Sequence, residues 1–460
     1  MFLDDTIAAI ATPLGEGGLA VLRLSGAQAF AIADKCFQPV GKSSLKPSVA
    51  PTHTIQFGKI IRDGNVIDEV LLAVLRAPRT FTREDTVEIS CHGGLLPAKL
   101  ILDALLAGGA RLAEPGEFTK RAFLNGRIDL AQAEAVVDLI HSRTELALAA
   151  ANEQLAGKLS QRINKLRDDL MLTLAHVEAY IDFPEEDIAE ETKEELLQRL
   201  ESGVSFMDEL LRTANEGQIL RRGIRAAIIG RPNAGKSSLL NQLLGRDRAI
   251  VSHIAGTTRD TIEETANIRG LPVIFIDTAG LREARDEIEL EGIRRSRESL
   301  ASAEFILHVL DASEPLTGAD EIYLKEFADK KRILVLNKTD LPVKLVLPSQ
   351  LITHNSSLIT VSSLSGEGIE ALKDAIKALV WTGEIKAEML QVAINSRHQD
   401  ALNRARATAR QATDALRDGL TLELVAMDLR IAANAVGEIV GKTATEDLLD
   451  SIFSTFCIGK

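Results

Sequence analysis

The sequence is 460 residues long, room for about three domains at roughly 150 residues each. Hydrophobic residues make up 45% and charged residues 26%, a balance that excludes large-scale disorder. The net charge of −13 weighs against a strong non-specific grip on phosphate backbones, and 4% aromatics are too few for base-stacking platforms.

No run of about 18 uncharged apolar residues occurs, so no membrane span is expected. The first residues, Met1-Phe2-Leu3-Asp4-Asp5, are acidic where a secretory signal is basic. Cys36, Cys91 and Cys457 are too few and too scattered for a disulfide framework or a zinc site. The expected location is the cytoplasm.

Residues 1–118 read as mixed α/β. Strand patterns run over 18–25, 66–75 and 86–90, and Gly93-Gly94 opens a helix over about 95–106. Residues 119–222 are helical: apolar positions recur at helical spacing over 130–177, Pro184 breaks them, and an acidic helix follows over about 190–215. Residues 223–380 alternate apolar β runs (225–230, 273–277, 305–311, 332–337) with helices, the pattern of βαβ units and a parallel sheet. Residues 381–460 are helical again. The expected fold is therefore multidomain, α/β plus all-α, with an α/β domain inserted into a discontinuous helical domain; two separate helical domains are the alternative.

Gly230-Arg-Pro-Asn-Ala-Gly235-Lys236-Ser237 fits G-x-x-x-x-G-K-[ST] between a strand and a helix. Backbone N–H groups of such a loop wrap phosphates, Lys236 neutralises the β/γ oxygens, and Ser237 offers a hydroxyl to Mg2+. Asp277-Thr-Ala-Gly280 ends an apolar strand, placing Asp277 on a Mg2+-bound water and Gly280 at the γ-phosphate. Thr258, in the polar loop Gly256-Thr-Thr-Arg-Asp260, is the second Mg2+ hydroxyl. Asn337-Lys338-Thr-Asp340 ends another strand, where Asp340 accepts from the ring N–H and exocyclic amine of guanine. Adenine offers the wrong donors there, so GTP is the expected nucleotide. Ser362, Ser363 and Leu364 complete the base pocket. Leu281 follows Gly280 where Ras-like GTPases carry a water-orienting Gln, and no Arg finger is evident in cis, so hydrolysis needs another group.

The whole chain is similar to the bacterial tRNA modification GTPase MnmE (TrmE) family. The GTPase motifs alone also fit Era and Der. Pro115-Gly-Glu-Phe118, Arg121-Ala-Phe-Leu-Asn125, Asp129-Leu-Ala-Gln-Ala-Glu-Ala135 and the terminal Phe456-Cys-Ile-Gly-Lys460 narrow the likeness. The resemblance implies an N-terminal α+β folate-binding and dimerisation domain, a split helical domain, an inserted P-loop (Ras-like) GTPase domain and a homodimer. It further implies that the protein acts with the FAD-dependent partner MnmG (GidA) on carbon 5 of the wobble uridine of certain tRNAs, using 5-formyl-tetrahydrofolate or a related one-carbon folate.

By the same resemblance the GTPase is potassium-activated, with K+ held by Asn233, Ser252, Ile254 and Thr257, and Glu289 orients the attacking water. The implied GTP contacts are Asn233, Ala234, Gly235, Lys236, Ser237 and Ser238; Ser252, His253, Ile254, Ala255, Gly256, Thr257 and Thr258; Asp277, Thr278, Ala279 and Gly280; Asn337, Lys338 and Asp340; and the Ser362–Leu364 loop. Folate contacts match Arg23, Glu88, Arg127 and Lys460; Arg127 departs from the Lys that the family can carry, keeping the charge on a planar fork.

Cys457 reads either as a buried structural cysteine or as a reactive thiol in the modification chemistry. His92 reads as a turn histidine or a base, and the stripe Arg404, Arg406, Arg410 as a solvated face or a tRNA contact. The competing function is an Era- or Der-type ribosome-assembly switch. One P-loop and acidic flanks argue against it.

Overall fold

The computed structural model describes residues 5–42, 44–182, 190–245, 263–276, 300, 302–348, 356–381 and 393–460. Seven strands form the N-terminal sheet: β1 (Ile7–Ile10), β2 (Leu19–Ser25), β3 (Phe37–Pro39), β4 (Thr54–Arg62), β5 (Asn65–Leu75), β6 (Thr86–His92) and β7 (Arg111–Leu112). Their order is β3-β4-β5-β6-β2-β1-β7, antiparallel except for the short β1–β7 pairing. The side-chain period of two gives this sheet one buried face. Leu22, Leu24, Leu72, Val74, Val87 and Ile89 pack there against the helices Ala29–Cys36 and Leu95–Ala107. The other face carries Arg23, Glu88 and several exposed apolar side chains, among them Leu19, Ile55 and Leu71. The sequence reading missed β4 because its pattern is inverted: Gln56 and Gly58 face the core while Ile55 and Phe57 face out.

The stretch expected as continuous helical spacing over 130–177 is three helices, Leu130–His141, Glu145–Leu155 and Lys158–Asp182. Thr144 caps the second by accepting from the Ala147 N–H, and Gly157, at φ +82°, ends it. The acidic helix Glu190–Arg212 stops earlier than expected, and Ala214–Arg222 is a separate helix. After the α/β insertion come Ser396–Arg417, Leu422–Val440 and Glu446–Phe453.

One core joins both halves. Leu159, Leu166, Leu170 and Met207 pack with Leu402, Ala409, Leu429 and Val436, so the helical domain is discontinuous rather than two domains. A buried ionic cluster pins the seam: Arg397 donates to both Glu134 oxygens at 2.9 and 2.8 Å, and His398 Nε2 lies 2.8 Å from Glu134 Oε2. The Asn395 N–H donates to His398 Nδ1, which leaves the ring proton on Nε2 to donate to Glu134. Burial pushes His398 below its ordinary value. Burial alone would raise the Glu134 carboxyl, but His398 and Arg397 beside it hold it well below the carboxylate range.

The inserted sheet contains β8 (Ile224–Ile229), β9 (Glu263–Ile268), β10 (Leu271–Ile276), β11 (Phe305–Asp311), β12 (Arg332–Asn337) and β13 (Ser356–Thr360), in the order β13-β12-β11-β8-β10-β9. All pairings are parallel except the β9–β10 hairpin, so the sheet is mixed, not purely parallel. Helices Lys236–Leu244 and Ile369–Val380 cover one face. The chain enters and leaves this domain at one place: Leu220, Leu271, Trp381 and Ala393 share a small core with Ala150. The hairpin turn also rests on the helical domain. Gly270, at φ +90°, has no room for a Cβ against Leu146, and Arg143 donates to Thr265 Oγ1 at 2.6 Å. Among the described residues no helix is long and apolar enough to cross a membrane.

Candidate functional site

The carboxyl end of β8 opens into the loop 230–235, which runs into the helix Lys236–Leu244. Asn233 (φ +63°) and Gly235 (φ +97°) are left-handed, the alternation that turns successive N–H groups inward to make an anion cradle. Gly235 cannot be anything larger, since a Cβ would collide with the Asn337 amide. Lys236 Nζ donates to the Gly230 and Arg231 carbonyls at 2.8 and 3.0 Å, spanning the loop it belongs to. Ser237 and Ser238 lie exposed in the first helical turn. A magnesium nucleotide fits these donors: Ser237 would hold the metal, the loop N–H groups and Lys236 the phosphates. When bound, the metal would neutralise phosphate charge.

Asn337 ties this loop to the base loop. Its Nδ2 donates to the Ala234 carbonyl at 2.8 Å, and its Oδ1 accepts from Ser363 N and Oγ at 3.0 and 2.8 Å. Ser362 Oγ donates to Asp340 Oδ1 at 2.6 Å, orienting that carboxylate while leaving its other oxygen available. Lys338, at φ +67°, places Nζ 2.6 Å from Asp311 Oδ2. Leu364 is exposed at the rim. The structure thus brings Asn233, Ala234, Gly235, Lys236, Ser237, Asn337, Lys338, Asp340, Ser362 and Ser363 together at the carboxyl ends of β8, β12 and β13, with β11 between the first two. Ser252, His253, Ile254, Ala255, Gly256, Thr257, Thr258, Asp277, Thr278, Ala279, Gly280 and Glu289 lie outside the described residues.

A second constellation joins the two ends of the chain. Arg23 on β2 pairs with Glu88 on β6, Nε and Nη2 each 2.8 Å from Oε1, and Nη1 donates to the Gly459 carbonyl at 3.4 Å across 436 positions. Arg23 also lies 5.6 Å from the Phe118 ring centroid, and Phe81 packs into the same small core. Arg127 stacks on Phe81 at 5.2 Å and donates to the Thr80 carbonyl, so each of the two arginines lies over a phenylalanine of the same small cluster.

Phe453 and Phe456 anchor the tail against Leu130 and Ala133, and Gly116 N–H donates to the Cys457 carbonyl at 3.3 Å. Gly116 (φ +67°) is required there, because a Cβ would sit 2.6 Å from the Phe453 carbonyl oxygen. Cys457 itself is exposed, which corrects the buried-cysteine reading: the phenylalanines fill the core and the thiol is left outside. Lys460 is half-buried beside it.

The remaining candidates resolve to simpler roles. Arg404 pairs with Glu438 and Asp400, and Arg406 and Arg410 share Asp208, so the stripe is neutralised rather than presented as a basic patch. His92 ends β6, exposed, with Nδ1 2.7 Å from Asp68. Sequence reasoning missed the Glu134–Arg397–His398 cluster and Asp311, since an isolated acid in a helix or at a strand end carries no spacing signal.

A mixed sheet with a phosphate loop after its first strand and a guanine-type loop after its fifth defines a P-loop GTPase, here set into a helical domain. The chain matches a family model described as MnmE helical domain over residues 130–457, and one described as GTP-binding protein TrmE N-terminus over residues 6–127. It is 49% identical to the tRNA modification GTPase MnmE of Listeria innocua, covering 99% of both chains. Identity is 47% to that of Clostridioides difficile over 100% of both, and 48% to that of Geobacillus kaustophilus over 99% of both. The chain belongs to the tRNA modification GTPase MnmE family and is a GTP hydrolase. An Era- or Der-type assembly switch is not favoured.

Proposed function

We propose that this protein is a potassium-activated GTPase. With a FAD-dependent partner of the MnmG (GidA) type, it modifies carbon 5 of the wobble uridine in certain tRNAs, using a folate-derived one-carbon unit. GTP is held by the loops around Lys236 and Asp340, with Mg2+ on Ser237 and Thr258 and K+ on Asn233, Ser252, Ile254 and Thr257. Glu289 orients the attacking water. The protein works as a cytoplasmic homodimer.

One observation carries the folate half of this reading: the tail reaches Arg23 through the Gly459 carbonyl, beside the Arg23–Glu88 pair. Folate ends in carboxylates, which Arg127 and Lys460 meet as charge-assisted hydrogen bonds, while Arg23 stays with Glu88 at the ring end. Glu88 supplies an acceptor for a ring N–H or amino group, and the exposed Cys457 stands within reach of the one-carbon unit. Isothermal titration with 5-formyl-tetrahydrofolate tests it: the protein binds with measurable heat, and Arg23→Ala and Lys460→Ala each weaken binding. Absence of heat with the intact chain sinks the folate reading while leaving the GTPase untouched.

A further inference from the structure

Asp311 ends β11, between the strand that feeds the phosphate loop and the strand that feeds the base loop. It is buried, and its two oxygens have separate duties. Oδ1 accepts from Ser313 N and Oγ at 2.9 and 2.7 Å, closing a local turn. Oδ2 takes Lys338 Nζ at 2.6 Å, and Arg231 Nη2 of the phosphate loop lies 3.9 Å from the same oxygen. Arg231 is held in place by Glu314 at 2.5 Å and Asp320 at 3.9 Å. Burial would raise the Asp311 carboxyl, but the bonds from Lys338 and Ser313 hold it below the usual carboxylate range.

We propose that Asp311 is a positioning residue for nucleotide binding, its Oδ2 clipping Lys338 of the base loop to Arg231 of the phosphate loop. This rests on the reading of residues 337–340 as the guanine-binding loop. A nucleotide spans both loops at once, so its affinity depends on their spacing being set before it arrives. Asn337 fixes that spacing on one side, through Ala234; Asp311 fixes it on the other, through a charge pair. Lys338 is two-thirds buried, and tethering Nζ lays its stem along the wall of the base loop instead of leaving it free in solvent. Asp311 has both oxygens committed to protein partners. It acts through Lys338.

The two oxygens allow the role to be separated from a folding role. Asp311→Asn keeps an acceptor for Ser313 and hence the turn, but removes the charge that holds Lys338. The test is a fluorescent-GDP titration of the full chain in magnesium, for Asp311→Asn, Lys338→Met and the double variant, with thermal melts of each. Each single change should raise Kd roughly tenfold, the order for a charged hydrogen bond that is partly screened, and the double no further. The melts should move little, and the loss should fall on Kd and KM far more than on kcat.

Wild-type affinity in Asp311→Asn overturns the proposal. So does a fully additive double variant, or a loss matched by a collapse of the melting temperature. Asp340→Asn serves as the separate control, since it should turn guanine preference toward xanthine nucleotides. If that preference does not move, the base-loop reading fails, whatever Asp311→Asn does.

Discussion

Every residue of β10 and β11 in the GTPase sheet is buried, whereas β2 of the N-terminal sheet alternates between a buried and an open face. The difference decides where each sheet can do chemistry. A sheet covered on both sides spends all its side chains on packing, so function is confined to the strand ends: Gly230 after β8, Asp311 at the end of β11, Asn337 at the end of β12. A sheet covered on one side keeps a free face, and Arg23 and Glu88 stand on it, met by a tail from the far end of the chain. Strand-end sites are written as short runs of neighbouring residues. Open-face sites are assembled from remote ones.

The first way to break this contrast is at the strand ends. Gly235→Val forces a side chain into a left-handed position against the Asn337 amide. Backbone strain of about 1–3 kcal/mol and a buried hydrogen bond of similar worth together predict at least a roughly hundredfold loss of GDP affinity. Folate binding should not change; parallel loss of both, read by titration, would mean the two sites are not separable. Next comes the monovalent ion. Turnover in potassium should exceed that in sodium by roughly tenfold or more, since a cation in place of an Arg finger recovers part of a 10³–10⁵ effect. Asn233→Gly, which keeps the left-handed backbone and deletes the side chain, should erase the difference. Equal initial rates in the two salts would remove the potassium reading.

On the open face, deleting Cys457–Lys460 should weaken 5-formyl-tetrahydrofolate by roughly tenfold, the worth of a charge-assisted contact. GTP turnover should stay near wild type. An unchanged folate isotherm would make the tail structural.

A stability measurement sharpens the contrast from inside the buried sheet. His308 on β11 is fully buried, and burial pushes it down to about 4. The unfolded chain then takes up its proton first as pH falls, so stability is intact above about 6.5 and drains away toward about 4, by at most about 3 kcal/mol. Urea melts at pH 7.5 and 5 read this, and His308→Phe should flatten the slope. The smallest effect is Glu88→Gln. The Arg23–Glu88 pair is partly exposed, so its loss should cost under about 1 kcal/mol of stability. A larger drop in melting temperature would make the pair a fold element and weaken its claim as a ligand site.

The same contrast explains which features are legible in the sequence alone. The P-loop, Asn337, Asp340 and four of the GTPase strands were legible, because local geometry demands those residues at that spacing. β13, Ser-Ser-Leu-Ile-Thr, is an edge strand with little to bury and gave no pattern. β4 was hidden by apolar residues on its open side. The helix breaks at Thr144 and Gly157 fell inside an unbroken apolar rhythm, where capping outweighs periodicity. Asp311 looked like any residue leaving a strand. The meeting of Arg23 with the tail came from family likeness, never from spacing, since nothing in a linear sequence encodes a contact across 436 positions.

The small core of Leu220, Leu271, Trp381 and Ala393 closes the neck of the inserted domain, and it has a thermodynamic consequence for the rest of the molecule. While the GTPase domain is folded, its two ends are held together, and the helical halves associate as if joined by a short link. Should that domain melt, they would be joined instead by a slack loop of about 160 residues, whose closure costs roughly 4–5 kcal/mol. A nucleotide that binds the folded GTPase domain therefore steadies the helical scaffold without touching it wherever that domain would otherwise melt, by no more than this closure cost.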